Sequence, residues 1–507
     1  CTIGSFSRFQ PRDQFIFGVK VLLRTLLMKK ILLCFTGLLL TQTIVAQWEP
    51  EVRLTNAPGS SVTSYNNGKC IAAKDDTIHI VWEDNRDGQY QVYYKRSTNC
   101  GISWSESTCI SNSNILSKQP CIAISGSLVH VFWYSEQWVG NFEVYYKRSA
   151  DGGQSWEPEQ RLTNAKGNSW ELSASASGST VHVVWEDCCD SLFLNPEIFY
   201  QRSINGGVTW EPEIQISNAE DYTGYPSIAS AGAFVHVVWE DYRNLNGDIY
   251  YKRSIDGGLS WGEETRLTDD PGDSWSPCIA VSDTVVHVVW SDWRNNMGAE
   301  IYYKNSPNNG CSWEEDTQLT YALSDALFPS IAASASMVHV VWTDNPFITN
   351  EIYYLNSEDY GDIWDASVPC LSNLMAYSDY PSIASSGTSV FVVWMDNCYE
   401  NFEIYYKCNP TGNIVVGTDN DFTEKSNPPF VLYPNPASSI IHIQLDGILT
   451  GQSILTIRNI LGETLISHSF RNNDVIVDVS ALLNGIYFVD IAKPEKKTES
   501  RKLVISK

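Results

Sequence analysis

The side chains with the most chemistry to offer recur at fixed intervals. Arg86, Arg243 and Arg294 each stand four residues after a tryptophan of the set Trp82, Trp133, Trp185, Trp239, Trp290, Trp342 and Trp394. Three guanidiniums at equivalent places could converge on an anion through bidentate hydrogen bonds. The plainer reading pairs each with the carboxylate two residues earlier, Asp84, Asp241 or Asp292. Asp187, Asp344 and Asp396 complete that carboxylate set, which reads as turn-holding residues or a rim for adventitious Ca²⁺; no cofactor is expected. His79, His130, His182, His236, His287 and His339 sit three residues before the same tryptophans, with Phe391 in the seventh place. A histidine that repeats with the period is a packing residue, and no metal-ligand spacing accompanies it. Only His442 and His468 fall outside the pattern, so a catalytic histidine has no candidate.

Tryptophan separates more cleanly. Trp104, Trp156, Trp210, Trp261, Trp313 and Trp364 form a second periodic set, and Trp48 belongs with them. Four of the 18 tryptophans escape both sets: Trp138, Trp170, Trp275 and Trp293. Aromatics beside carboxylates on connecting loops suit stacking on sugar rings or gripping a protein partner, and these four are the predicted ligand-binding residues. The alternative is that they cover loop cores.

The elements that must position these residues follow from the spacing. The first tryptophan set recurs at 51, 52, 54, 51, 52 and 52 residues, a period that means a propeller, solenoid or array. Within each repeat, short β-branched and aromatic runs alternate with Gly, Asn, Asp and Ser, which is strand-and-turn chemistry. In the fourth repeat, 226–229, 235–240, 248–253 and 261–268 read as strands a to d of one propeller blade. The seventh repeat lacks strand d, while the segment from Trp48 to Asn56 matches the strand-d segment from Trp156 to Asn164. The fold class is therefore all-β: a seven-bladed β-propeller closed by its N-terminal strand, followed by a small β-sandwich.

The turn from c to d carries a family resemblance. Ser149-Ala150-Asp151-Gly152-Gly153-Gln154-Ser155-Trp156, Ser203 to Trp210 and Ser254 to Trp261 fit one pattern, and Ser97, Ser306 and Ser357 open three further copies. This resembles the Asp-box of bacterial-neuraminidase repeats, and six copies in register make residues 47–408 similar to sialidase-like propellers. The box residues are Asn99, Asp151, Asn205, Asp256, Asn308 and Asp359. Their side chains should clip the hairpin, Gly should take the positive-φ position, and Trp should bury across the blade. The box lies on the structural face, so ligands should meet the opposite face, built from the d-to-a and b-to-c connections.

The resemblance implies an arginine triad, a Tyr nucleophile activated by Glu, and an Asp acid/base if the protein is an exo-sialidase. Arg86, Arg243 and Arg294 are the arginines on the ligand face. Against this, no Arg-Ile-Pro segment opens the propeller, seven blades replace the catalytic six, and tyrosines such as Tyr302 and Tyr303 repeat in every blade. A binding module for a glycan or surface protein is favoured, with an exo-sialidase-like glycoside hydrolase as the alternative.

Charge and the two ends complete the reading. A net charge of −25 over 507 residues argues against a nucleic-acid partner, and 12% aromatic residues argue against wholesale disorder. Residues 1–27 read as an extension of the gene, and 28–46 as a secretory signal: Lys29-Lys30, an apolar run, and cleavage after Ala46. Nothing later is long and apolar enough to span a bilayer. Eleven of the 13 cysteines lie beyond the leader, an odd number for an exported chain, and Cys188-Cys189 are vicinal. After a linker at 409–429, the segments Phe430 to Ser438, Ile457 to Glu463, Asp478 to Val489 and Lys502 to Lys507 resemble the type A C-terminal sorting domain of the type IX secretion system of Bacteroidota. That resemblance implies a partner in the secretion machinery, engaged through 430–507, and a secreted or surface-anchored product. Residues 47–408 carry about −29 of the charge, which favours neutral or cationic ligands.

Overall fold

The computed structural model describes residues 48–65, 68–111, 115–138, 140–188, 195–295, 298–321, 324–345, 349–372, 376–399, 401–411, 430–433, 439–445, 453–459, 464–470, 474–483, 485–492 and 499–505. The expected leader and most of the expected linker lie outside these residues, as do Cys189 and the side chain of Trp138. Every described element is a strand, and the chain divides into two compact units, Cys1–Gly417 and Thr418–Lys507.

The first unit is a seven-bladed propeller. Blade four has strand a at Thr223–Ala231, b at Phe234–Asp241, c at Asp248–Ser254 and d at Thr265–Arg266, paired in that order. Strand a is longer than its sequence reading and strand d much shorter. In blade six strand d shrinks to a single bridge, Tyr353 to Cys370. Blade seven, Ser378–Ser386, Ser389–Tyr399 and Asn401–Asn409, takes its fourth strand from the N-terminal end, where Val52 and Arg53 pair with Tyr406 and Tyr405. Neighbouring a strands meet all the way round, blade seven against blade one.

Residue types follow position. Strand b is sandwiched on both sides, so Val235 to Asp241 are all buried and read as a continuous apolar run rather than an alternation. Its tryptophan stacks on a strand-c tyrosine, as Trp239 does on Tyr250 at 6.2 Å. Seven a strands converge on the axis, which leaves room only for small side chains. Ala and Ser residues such as Ala123, Ala174, Ser230 and Ala333, with Ile from several blades, line an axial cavity of about 230 Å³.

The c-to-d turns are clipped by their own side chains. Ser149 Oγ donates to Asp151 Oδ1 (2.7 Å) and accepts from the Gly153 N–H, while the Ser155 N–H donates to Asp151 Oδ1 (2.9 Å). Asn99, Asn205, Asp256, Asn308 and Asp359 accept the matching N–H in their own turns. The clip tryptophan does something the sequence reading missed. It packs edge-on against a strand-c tyrosine of the preceding blade: Trp156 on Tyr94, Trp210 on Tyr146, Trp261 on Tyr200, all at 4.9–5.0 Å. The series closes through Trp104 on Tyr406 and Trp48 on Tyr354. Strand-c lysines reinforce the same seams, as Lys95 does by donating to the Leu54 carbonyl of the closing strand (2.9 Å).

The second unit has a three-stranded sheet (Phe430–Tyr433, Ile440–Leu445, Asp474–Asp478) and a four-stranded sheet (Thr464–Phe470, Ser453–Asn459, Gly485–Ala492, Glu499–Ile505). Ile441, Ile443, Leu455, Ile457, Val475, Val489 and Ile491 share one buried core, with every second residue pointing inward. Among the described residues no helix is long and apolar enough to cross a membrane.

Candidate functional site

The arginine expectation resolves into structural pairs. Arg243 Nε and Nη2 donate to Asp241 Oδ1 (2.8 Å) and Oδ2 (2.5 Å), Nη1 donates to Glu264 (2.8 Å), and the guanidinium lies 4.4 Å from the Tyr250 ring. Arg294 repeats this on Asp292, Asp316 and Tyr302, and Arg86 on Asp84 and Tyr93. All three are held over strand c of their own blades, away from the axis, and do not converge. A fully buried carboxylate two residues away outcompetes any shared ligand for the guanidinium fork. Four of the six carboxylates that follow the strand-b tryptophans also hold strand a to strand b: Ser61 Oγ donates to Asp84 (2.7 Å), Ser169 Oγ to Asp187 (2.7 Å), Ser274 Oγ to Asp292 (3.0 Å) and Ser378 Oγ to Asp396 (2.7 Å), while Asp344 accepts from Ser324, just before strand a, and Asp241 from Trp239 and Arg243. Among the described residues no group of three or more His, Cys, Asp or Glu could hold a metal ion. Each periodic histidine turns Nδ1 to a strand-c tyrosine hydroxyl, as His130 does to Tyr146 (2.7 Å).

The site lies on the d-to-a and b-to-c face, in a central funnel with two adjoining cavities of about 710 and 430 Å³ that share Tyr65, Tyr222 and Tyr225. A repeated backbone irregularity builds its floor. In blades two to seven strand a carries a β-bulge, and its third residue adopts positive φ: Gln119 (49°), Glu171 (46°), Tyr225 (50°), Ser276 (52°), Phe328 (52°) and Tyr380 (48°). Non-glycine residues are uncommon there, and such strain gathers at functional sites, where bulges re-aim side chains. Glu171, Tyr225, Ser276, Phe328 and Tyr380 line one or other of the two cavities, and Tyr65 of blade one joins them. The backbone repeats; the side chain differs from blade to blade.

The result is an asymmetric funnel. One arc is aromatic: Phe328 meets Tyr380 at 4.6 Å, Tyr380 meets Tyr65 at 5.8 Å, and Tyr222 meets Tyr242 at 5.7 Å. The other arc is polar. There Glu186 accepts from Trp170 Nε1 (2.9 Å) and from the Tyr222 hydroxyl (3.0 Å), while Glu83 accepts from the Gln119 N–H (2.8 Å). Burial pushes the Glu83 and Glu186 carboxyls up to about 7 and Glu240 up to about 8, against an ordinary 4.5. Burial, with Glu186 nearby, also raises Glu171 well above the usual range. These carboxyls therefore tend toward their neutral form; Glu171 and Glu186 line the smaller cavity and Glu240 the larger, and Lys118, over the Tyr90 ring at 4.4 Å, is the ammonium on the wall of the smaller cavity.

The predicted tryptophans divide. Trp275 lines the larger cavity and Trp170 the smaller. Trp293 packs behind Trp275 with ring centres 6.3 Å apart, and all three are partly buried rather than exposed. Trp138 ends its strand b, at Leu128–Trp138. The bulge residues and the Glu83, Glu186 and Glu240 set escaped the sequence reading. A signal existed: the residue before Pro120, Pro226, Pro277, Pro329 and Pro381 is Gln, Tyr, Ser, Phe and Tyr in turn.

Residues 431–506 match the Secretion system C-terminal sorting domain. The protein is thus a β-propeller exported by the type IX system, to the cell surface or into the medium. No curated protein matches the chain. Among solved structures it is similar to an ulvan lyase of polysaccharide lyase family PL25, with a TM-score of 0.50 and 11% identity over 70% of this chain and 95% of that one. A protein of unknown function from Dyadobacter fermentans (TM-score 0.45, 12% identity, 71% and 97% covered) and a Hadza microbial sialidase (0.43, 12%, 66% and 76%) are further matches. At these identities the likeness is one of fold.

Proposed function

We propose that this exported propeller, built from Asp-box repeats, binds a neutral glycan in its central funnel. The observation that carries this reading is the ring of strained strand-a residues, constant in backbone and variable in side chain. Side chains that served only the blade would repeat with it, as the clip residues do. Aromatic faces on one arc suit the apolar faces of sugar rings, and the neutral carboxyls and tyrosine hydroxyls opposite suit sugar hydroxyls. A sialic acid carboxylate would meet no free arginine among the described residues, and the propeller's charge near −29 opposes an anionic chain. These observations support a neutral ligand over a sialoside, and a narrow cavity over a flat protein interface. Secretion with loss of residues 1–46, and later removal of 430–507, belong to the same proposal.

A glycan array probed with the chain from residue 47 onward tests the reading. Neutral oligosaccharides should bind, and Tyr225→Ala should weaken them roughly 30-fold, about the 2 kcal/mol of a buried aromatic anchor. Binding to sialosides alone, abolished by Arg243→Ala, would overturn it.

A further inference from the structure

We propose that Glu171 and Glu186 are the acid and base of a glycosidase centre in the smaller funnel cavity, hydrolysing the neutral glycan whose binding is proposed above, on which this inference rests. The two carboxyls line one cavity of about 430 Å³ but stand in opposite surroundings. Glu186 accepts hydrogen bonds on both oxygens, from Trp170 Nε1 and the Tyr222 hydroxyl, which offset part of its burial and make it the more readily ionised of the two. Glu171 is nine-tenths buried, and its Oε2 meets no hydrogen-bond partner. With fewer donors around it than Glu186 has, Glu171 keeps the proton the pair must share. The strand-a bulge holds Glu171 at φ 46°, the strained conformation that aims the whole ring at the axis. Buried polar groups in folded proteins are nearly always paired, so a buried carboxyl oxygen with spare capacity on the cavity wall marks where a polar ligand is met.

The chemistry balances without a cofactor. Glu171 gives its proton to the glycosidic oxygen as the bond from that oxygen to the anomeric carbon breaks. Water bonds to the anomeric carbon and loses a proton to Glu186. One water is consumed, a reducing sugar and a free hydroxyl are released, and solvent returns the proton from Glu186 to Glu171.

The test uses the chain from residue 47 onward with xylan, galactan, mannan and β-glucan. Wild type should bind at least one and release reducing ends from it. Glu171→Gln, nearly isosteric with the protonated acid, should bind within about twofold of wild type while turnover falls roughly 10³-fold. Glu186→Ala should lose turnover and regain it with sodium azide, releasing a glycosyl azide, a rescue that a merely structural carboxylate would not show. Binding by wild type without release of reducing ends overturns the catalytic pair and leaves the binding reading standing. Full turnover in Glu171→Gln, or no azide product from Glu186→Ala, likewise overturns the pair. Binding to none of the four overturns the glycan reading and this inference with it.

Discussion

Two backbone motifs repeat around this propeller, and they treat their side chains in opposite ways. On the clip face each c-to-d turn uses nearly the same residues, and the clip Asp or Asn finds its partners within its own turn. On the funnel face the strand-a bulge repeats as faithfully, with φ between 46° and 52°, yet its side chain runs through Gln, Glu, Tyr, Ser, Phe and Tyr. Where side chain and backbone repeat together the feature serves the blade. Where the backbone repeats and the side chain does not, the fold is presenting positions free to be spent on a ligand.

The sharpest way to break that comparison is to disturb a clip. Gly258 adopts φ +82°, and a Cβ there would lie 1.7 Å from the Tyr200 hydroxyl of the preceding blade. Gly258→Ala combines an unfavourable backbone with a clash in a packed seam, and should lower unfolding free energy by about 3 kcal/mol or more in urea titration. Ser276→Ala, at a bulge in the next blade, should cost under about 1 kcal/mol. Equal losses would mean the two faces do not differ in kind.

Arg243→Ala comes next. It leaves the fully buried Asp241 without its ion-pair partner, which should cost roughly 3 kcal/mol in the same titration. Glycan affinity should stay within twofold, because the guanidinium faces strand c. Lost affinity at unchanged stability would return the arginines to the ligand face.

How legible this was depends on which period a residue obeyed. The blades, their number and the closing strand were readable because Trp82 and its six equivalents mark every strand b, and Trp48 to Asn56 copies a strand d. The clip tryptophans were found but given the wrong neighbour, since spacing along a chain does not say which blade a turn leans on. The bulges were hidden for a local reason. A residue before proline reads as extended backbone, so the sequence pattern starts strand a at Pro226 and puts Tyr225 in the preceding connection. The buried glutamates were hidden because Glu-Asp after Trp reads as a solvent-facing strand end until the next blade covers it.

Titration separates the faces in a further way. Burial lowers the blade-core histidines to about 3 for His130, His287 and His339, and to about 4 for His79, His182 and His236, from 6.5. A depressed folded value means stability present above pH 6.5 and lost as pH falls toward 3 to 4. Glu240 is raised from 4.5 to about 8, so its contribution is full below pH 4.5 and is lost as pH rises through 8. Between pH 4.5 and 6.5 the six histidines outweigh Glu240, so stability should rise with pH across that window and peak near pH 6.5. Glu240→Gln keeps an acceptor for the Ser276 N–H and cannot ionise, so it should stabilise the protein at pH 8 by on the order of 1–3 kcal/mol. Melting curves from pH 4 to 9 check both limbs. A funnel residue whose replacement stabilises the fold is one retained for another reason; if Glu240→Gln instead destabilises at every pH, the funnel carboxyls belong with the structural set.

The smallest effect is expected at the tips of the clips, and it guards against reading every apolar surface residue as a site. Leu259 and Ile363 stand on c-to-d turns at 69% and 72% exposure, where a side chain adds little to the seam below. Leu259→Ser should change unfolding free energy by no more than about 0.5 kcal/mol and leave glycan affinity unchanged. The clip works through the Asp256 carboxylate, the Ser254 hydroxyl and Trp261 against Tyr200, none of which needs residue 259 to be apolar. A measurable loss of binding from so small a change on the face away from the funnel would show that the clip face also meets a ligand, and the division between the two faces would have to be redrawn.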